Sequence, residues 1–135
     1  MTNKDLIPSP TFYSRRYWEG CSNNKLLFQK CAACSSVQFY PRMICSSCWS
    51  KDLTWYQSEG HGEIISYTIV HRAPSADFLN EIPYVIVFVR LDEGFNMIGY
   101  LRNWGNMDDI SIGRSVVTRF ECISPDIFLP VFEPR

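Results

Sequence analysis

The stretch "CAACSSVQFYPRMICSSC", residues 31–48, contains two Cys-x-x-Cys pairs that are separated by ten residues. Within one tight turn, such a pair can point two thiolates at the same ion, and two turns of this kind complete a tetrahedral shell. The intervening residues are long enough for a strand that runs out and back. The spacing therefore predicts a tetrathiolate metal site formed by Cys31, Cys34, Cys45 and Cys48.

The predicted ion is Zn²⁺ with a structural role, because four thiolates fill the shell and leave no position for water or substrate. Iron fits the same geometry and stays open as an alternative. A pair of redox dithiols is the other alternative, but it needs only one Cys pair and leaves the second unexplained. A module this small buries little apolar surface, so the metal is expected to supply much of its folding free energy.

The composition describes a chain that can bury a core, since 46% of its 135 residues are hydrophobic and 15% are aromatic. There is no run of about 18 apolar residues to span a membrane, and the N-terminus lacks the apolar segment of a secretory signal. We therefore expect a cytoplasmic protein, in which clustered cysteines are metal ligands rather than disulfides. Cys21 and Cys122 lie outside the pattern and are expected to be small buried residues.

The segment before the cysteines, "SPTFYSRRYWEG" at residues 9–20, predicts a short helix. Ser9 can cap it, Pro10 suits its first position and Gly20 suits its end. The segment carries four aromatic residues: Phe12, Tyr13, Tyr17 and Trp18. This is more apolar surface than a solvated helix usually presents, so the helix either packs on the body of the protein or contributes to a binding surface.

From Gly60 onward the pattern indicates β-strands. Five apolar segments separated by turn signals are strand candidates, at residues 62–72, 84–92, 95–102, 115–124 and 127–134. Five short strands in this length favour a closed barrel of the OB type over a small open sandwich, because closure removes exposed strand edges. The predicted fold is mainly β, with an aromatic N-terminal helix at 1–25, a zinc ribbon at 26–59 and an OB barrel at 60–135.

Several motifs together resemble a known family. They are "FYSRRYWEG" (12–20), "LLFQKCAACSSVQFYPRMICSSCWS" (26–50), "VHRAP" (70–74) and "IPYVIVFVRLDEG" (82–94). The chain is similar, over about residues 12–132, to the acyl-CoA-associated OB-fold family with an N-terminal rubredoxin-like zinc ribbon, the domain of unknown function 35. The resemblance implies a non-catalytic accessory subunit of a thiolase-like, acyltransferase, aldolase-type or other acyl-CoA enzyme. It also implies a part in forming or shielding an acyl-CoA site.

Two positions depart from the family pattern. Ser35 and Trp49 stand after the second cysteine of each pair, where the family usually has glycine in a left-handed conformation. A left-handed tryptophan is strained, so the second turn is expected to be distorted or displaced.

Catalytic residues are scarce in the sequence. The only histidines are His61 and His71, and neither a Gly-x-Ser-x-Gly elbow nor a nucleotide-binding glycine loop is present. Asp108 and Asp109 are adjacent, so their side chains diverge on any regular structure. We therefore expect the chain to be non-catalytic on its own.

Coenzyme A carries an adenine ring, phosphates and an apolar thiol arm, which aromatic and basic side chains could bind. On residue chemistry and family analogy, the candidates for binding acyl-CoA or a partner are Arg15, Arg16, Trp18, His71, Arg72 and Phe78. For the two helix arginines, a solvated helix face is the alternative.

Two other functions remain as alternatives, a rubredoxin-like electron carrier and a protein that binds single-stranded nucleic acid. The charge distribution disfavours nucleic acid. Residues 1–60 carry seven basic and four acidic side chains, whereas residues 61–135 carry six basic and ten acidic ones and no lysine. Phosphate binding needs clustered lysine and arginine, which the barrel region lacks.

Overall fold

The computed structural model describes residues 7–135, which form one helix and eight strands. The helix is α1 (Arg15–Ser22). The first sheet contains β1 (Leu26–Cys31), β2 (Val37–Gln38) and β3 (Leu53–Ser58) in the order β2-β1-β3. The barrel contains β4 (His61–Val70), β5 (Tyr84–Leu91), β6 (Asn96–Leu101), β7 (Ser115–Ser124) and β8 (Ile127–Pro134). No helix in this part of the chain is long and apolar enough to cross a membrane.

The barrel is closed, with strand order β4-β5-β6-β8-β7 and β7 pairing back to β4. Closure depends on one parallel contact, where Leu101 of β6 lies opposite Phe132 of β8, while all other strand pairs are antiparallel. The predicted mainly β fold with a five-stranded closed barrel is therefore confirmed, and the open sandwich is excluded. Alternating residues Val85, Val87 and Val89 of β5 are fully buried inside the barrel.

The helix differs from its prediction at both ends. It begins at Arg15 and not at Pro10, because Ser14 Oγ accepts hydrogen bonds from the backbone N–H and the hydroxyl of Thr11, both at 2.8 Å, and holds the preceding residues in a turn. It also continues past Gly20 to Ser22. A Cβ at Gly20 would lie 2.8 Å from the side chain of Leu27, so this glycine allows close packing of α1 on β1 rather than ending the helix.

A stack of aromatic rings joins the first sheet to the barrel. Phe95, in the turn between β5 and β6, stacks on two rings of the first sheet region. Its ring centroid lies 4.9 Å from that of Phe28 and 5.4 Å from that of Phe39. Tyr17 of α1 packs edge-on against Phe39 at 5.3 Å. The predicted domain boundaries, between residues 25 and 26 and between residues 59 and 60, fall between secondary-structure elements. The division into three parts stays a prediction, because the aromatic stack packs residues of all three parts together. Residues 1–6 of the predicted first part lie outside the described residues.

Candidate metal centre and apolar cavity

The two Cys-x-x-Cys turns bring their four sulfur atoms together, all within 4.8 Å of one another. Cys31 Sγ lies 3.6 Å from Cys48 Sγ, and Cys34 Sγ lies 3.6 Å from Cys45 Sγ. A tetrahedral zinc site with Zn–S bonds of about 2.3 Å separates its sulfurs by roughly 3.8 Å, so this donor set fits one ion of that size. Within residues 7–135 it is the only cluster of three or more metal-binding side chains.

The backbones of the two turns match each other. Ser35 N–H donates to the Cys31 carbonyl at 2.9 Å, and Trp49 N–H donates to the Cys45 carbonyl at 3.0 Å. Ser35 and Trp49 have φ angles of 65° and 64°, the left-handed conformation expected of these positions. The expected distortion of the second turn is therefore wrong, because Trp49 adopts the strained conformation and the turn keeps its hydrogen bonds.

Electrostatics within the cluster favour a bound cation. Hydrogen bonds from the side chain and backbone of Ser36 lower the pKa of Cys34 to about 6. The backbone of Ser50 acts to lower the pKa of Cys48 as well, but the neighbouring thiols outweigh it and raise that pKa to about 12. One thiolate thus opposes ionisation of the next. A divalent ion held by these four cysteines would supply positive charge that stabilises their thiolates together.

Two buried glutamines connect the second cysteine turn to the β1–β2 hairpin. Gln38 Nε2 donates to Gln29 Oε1 at 3.0 Å, and Gln38 Oε1 accepts from the backbone N–H of Ser46 at 3.1 Å. Gln29 also holds Arg42, since its Oε1 accepts the Arg42 N–H at 2.9 Å and its Nε2 donates to the Arg42 carbonyl at 3.0 Å. Ser46 lies between Cys45 and Cys48, so this network sets the position of the second turn relative to Cys31.

An open apolar cavity of about 410 Å³ lies where the helix, the first sheet and the barrel meet. Aromatic and aliphatic side chains from all three regions form its walls: Tyr17, Trp18, Phe39, Tyr40, Ile86, Met97, Ile98, Tyr100 and Leu129. Its lining contains no charged side chain. This is the character of a site for an apolar ligand rather than for phosphates.

The structure separates the predicted ligand-binding residues. Trp18 lines the apolar cavity, whereas Arg16 lines a different, polar depression beside Trp55. Arg15 is exposed on α1, and His71 and Arg72 are exposed in the loop after β4.

Phe78, the sixth predicted residue, is half-buried in a short 3₁₀ turn, Ala76–Phe78. Its ring lies 5.8 Å from Tyr84, which in turn lies 5.7 Å from Tyr100 in the cavity wall. Phe78 therefore does not line the cavity, but it contacts the cavity wall indirectly, through Tyr84.

Sequence reasoning missed most of the cavity wall. Ile98 and Tyr100 are alternate residues of β6 on the outer side of the barrel, and Ile98 is 57% exposed. The available signal was in the segment "FNMIGYL", which is apolar on both faces although an outer barrel face is usually polar. Tyr100 is fixed by Arg102, whose guanidinium lies 4.6 Å above the ring and forms a two-pronged ion pair with Glu121.

Comparison with protein families gives two adjacent matches. Residues 18–54 match the family described as ChsH2, rubredoxin-like zinc ribbon domain, and residues 55–126 match ChsH2, C-terminal OB-fold domain. The resemblance noted from the motifs is thus confirmed. A metal-binding ribbon also agrees with the cysteine cluster.

Curated relatives include two larger proteins and a small one. The chain is 34% identical over 133 residues to the probable enoyl-CoA hydratase alpha subunit of Thermomonospora curvata, covering 97% of this chain and 41% of that protein. It is 29% identical to the 3-oxo-4,17-pregnadiene-20-carboxyl-CoA hydratase alpha subunit of Mycobacterium tuberculosis, covering 96% and 40%. It therefore spans about two-fifths of these hydratase subunits. It is 33% identical to a DUF35 domain-containing scaffold protein of Methanocaldococcus jannaschii, covering 75% and 71%.

Solved structures include two similar chains. One belongs to a structure described as an Ltp2-ChsH2(DUF35) aldolase, with a TM-score of 0.83, 32% identity and coverage of 95% of this chain and 98% of that chain. The other is a DUF35 family protein from Sulfolobus solfataricus, with a TM-score of 0.64, 18% identity and coverage of 93% and 87%. The second match supports the fold alone.

Proposed function

Because this chain belongs to the DUF35 family, in which a ChsH2-type rubredoxin-like zinc ribbon precedes an OB-fold domain, we propose that it is a non-catalytic accessory subunit of an acyl-CoA enzyme. The observation that carries the proposal is the near-complete match to a chain of the Ltp2-ChsH2(DUF35) aldolase structure. The hydratase alpha subunits add relatives whose names refer to acyl-CoA substrates. The partner enzyme is of thiolase-like, acyltransferase or aldolase type and supplies the catalytic residues.

The apolar cavity is the part of the chain that we assign to the ligand. A cavity of about 410 Å³ without charged lining suits the acyl group or the pantetheine arm of acyl-CoA, and not its phosphates. In this proposal Trp18, Ile98 and Tyr100 form an apolar wall that shields the arm from water. The exposed Arg15, Arg16, His71 and Arg72 are free to contact the phosphates or the partner, and Phe78 supports the wall through Tyr84.

We propose Cys31, Cys34, Cys45 and Cys48 as the ligands of one structural Zn²⁺. When bound, the ion supplies positive charge that holds the two turns together. Metal analysis of the purified chain distinguishes this from the electron-carrier alternative. One zinc per chain in a colourless protein supports the proposal, whereas a red protein that retains iron contradicts it.

The test begins with affinity purification of the tagged chain from its native host. The expected result is a CoA-dependent enzyme in stoichiometric amount, with activity in the complex and none in the isolated chain. Absence of such an enzyme, or turnover by the chain alone, overturns the proposal. Binding of single-stranded oligonucleotides that weakens with salt would instead support the nucleic-acid alternative.

A substitution tests the cavity separately. Ile98→Trp narrows the cavity, and we expect kcat/KM of the complex for acyl-CoA to fall at least tenfold while the complex stays assembled. Ile112→Trp is the matched control, since Ile112 is 71% exposed and lies outside the cavity. Equal kcat/KM for both variants would remove the cavity from the proposed function.

A further inference from the structure

The second cysteine turn presents large apolar side chains to solvent. Trp49 is 77% exposed, Met43 63% and Ile44 42%. The hydrogen bond from Trp49 N–H to the carbonyl of Cys45 places the tryptophan beside the residue that follows Ile44. We call these three residues the turn surface.

The ring of Trp49 is not required by the geometry of the metal site. The first cysteine turn has the same backbone hydrogen bonds and the same left-handed φ, yet it carries Ser35 at the matching position and Ala32 and Ala33 between its cysteines. Trp49 therefore occupies a strained conformation without contributing buried contacts of its own. Strained residues that persist on a surface are typical of functional sites.

Basic side chains flank the turn surface. Arg42 precedes it and Lys51 follows it; both are exposed, and neither forms an ion pair in the part of the chain that the structure describes. Residues 38–51 contain no acidic side chain. Such a surface is complementary in character to an apolar pocket with carboxylates at its rim.

Part of the turn surface lies close in sequence to the wall of the apolar cavity. Tyr40 and Pro41 line the cavity, and Met43 and Ile44 follow in the same loop, two and three residues after Pro41. A protein bound to the turn surface would therefore lie next to the cavity mouth, where the proposed function needs a catalytic subunit.

We propose that the turn surface is the docking site for the acyl-CoA enzyme subunit, with Trp49 as its central anchor. The inference rests on the proposed function and adds the location and chemistry of the interface. The enzyme subunit receives Trp49 in an apolar pocket, and its rim carboxylates pair with Arg42 and Lys51. Aromatic anchors of this kind commonly dominate binding energy at protein interfaces.

The experiment measures dissociation constants between the zinc-loaded chain and the enzyme subunit that co-purifies with it. Trp49→Gly and Ile44→Asp should each weaken binding at least tenfold, with one zinc per chain retained. Ile112→Asp is the matched control, because Ile112 is also an exposed isoleucine but lies in a barrel turn, and its binding should stay within twofold. Lys51→Glu should weaken binding and reduce its dependence on salt concentration.

The outcomes separate this inference from the proposed function. If the wild-type chain captures no CoA-dependent enzyme, the proposed function fails and the docking site falls with it. If it captures the enzyme but Trp49→Gly and Ile44→Asp bind within twofold of wild type, only the docking site is overturned. Trp49→Gly keeps the test valid if Ile44→Asp fails to fold. If the variants lose self-association or oligonucleotide binding but keep enzyme binding, the turn surface binds something other than the enzyme subunit.

Discussion

Trp49 has a φ of 64°, a conformation in which its Cβ crowds the backbone. Trp49→Gly should raise the free energy of unfolding by about 1 kcal/mol, because the relief of crowding exceeds the entropy that glycine adds to the unfolded chain. Denaturant unfolding at fixed zinc concentration measures this change. The control is Ser47→Gly: Ser47 is exposed and is not among the left-handed residues, so this variant should lose about 0.5–1 kcal/mol of stability. A loss of similar size in both variants would contradict strain at Trp49.

The two cysteines outside the metal cluster have opposite surroundings. Cys21 is fully buried in α1, and burial raises the pKa of its thiol to about 12, whereas Cys122 is exposed on β7. Since the thiolate is the reactive form, an alkylating reagent at pH 8 should modify Cys122 of the zinc-loaded protein at least 100-fold faster than Cys21. Peptide mass spectrometry over time gives both rates. Cys21 should react only after denaturation, and comparable native rates would disprove its burial.

Residue-scale predictions succeeded where the deciding interactions are local. The clustering of the four cysteine sulfurs follows from spacing within two short turns. The expected distortion at Trp49 was wrong, because the second turn keeps the same backbone hydrogen bond and left-handed φ as the first. The expected burial of Cys122 was wrong, because the side that a strand residue faces depends on pairing with a distant strand. The register of β7 against β8 shifts between Cys122 and Ser124, and no short-range pattern indicates that shift.

At the scale of elements, Gly20 shows how tertiary packing overrides helix propensity. Gly20→Ala should lower the free energy of unfolding by about 1–3 kcal/mol, because the new Cβ would lie 2.8 Å from Leu27 and the close packing of α1 on β1 would be lost. In an isolated helix the same change would stabilise by about 1 kcal/mol. Ser22→Ala, at an exposed position of the same helix, should change stability little. Stabilisation by Gly20→Ala would disprove the close contact.

The glutamine network predicts an effect on metal retention. Gln38→Leu leaves Gln29 Oε1 with the Arg42 N–H as its one remaining donor and removes the acceptor of the Ser46 backbone N–H, at a cost of about 0.5–1.5 kcal/mol for each lost hydrogen bond. Release of zinc to a chromophoric chelator should become about tenfold faster, by analogy with the groups that orient metal ligands. Gln57→Leu is the control, because Gln57 is exposed on β3 of the same sheet. Equal release rates would show that the network does not position the second turn.

Strand positions were predicted well because period-two alternation and turn residues are local signals. The start of the helix was missed because Thr11 and Ser14 bond to each other and hold a turn, although Pro10 alone suits a helix start. Its end was missed because the role of Gly20 depends on Leu27, on a different element. Local patterns thus located the elements but not the contacts that set their ends.

At the scale of the whole molecule, the apolar cavity combines three regions that are far apart in sequence. Trp18 was selected because its helix is unusually aromatic, whereas Phe39, Ile98 and Leu129 line one cavity only because the helix, ribbon and barrel pack together. Arg15, Arg16, His71 and Arg72 were selected by the chemistry of CoA phosphates. The structure does not bring these basic residues to the cavity, and their role stays a prediction.

Removal of the metal should destabilise the ribbon while the barrel stays folded. In the proposed function an ion holds the two cysteine turns of the ribbon, while the barrel has an interior of its own around Val85, Val87 and Val89. After chelation we expect amide hydrogen exchange to accelerate at least tenfold in β1 and β3, with β5 and β7 still protected. Phe95 should loosen as well, because its stacking partners Phe28 and Phe39 lie on the ribbon side.

Hydrogen exchange measured by mass spectrometry resolves these segments, and added zinc should restore the protection of β1 and β3. Protection that vanishes together in β1 and β5 would mean that the shared aromatic stack makes the chain one cooperative unit. Unchanged protection in β1 after complete removal of the metal would mean that the ribbon does not depend on the ion. Because Phe95 belongs to the barrel but packs on ribbon rings, its segment reports how far the effect of the metal extends into the barrel.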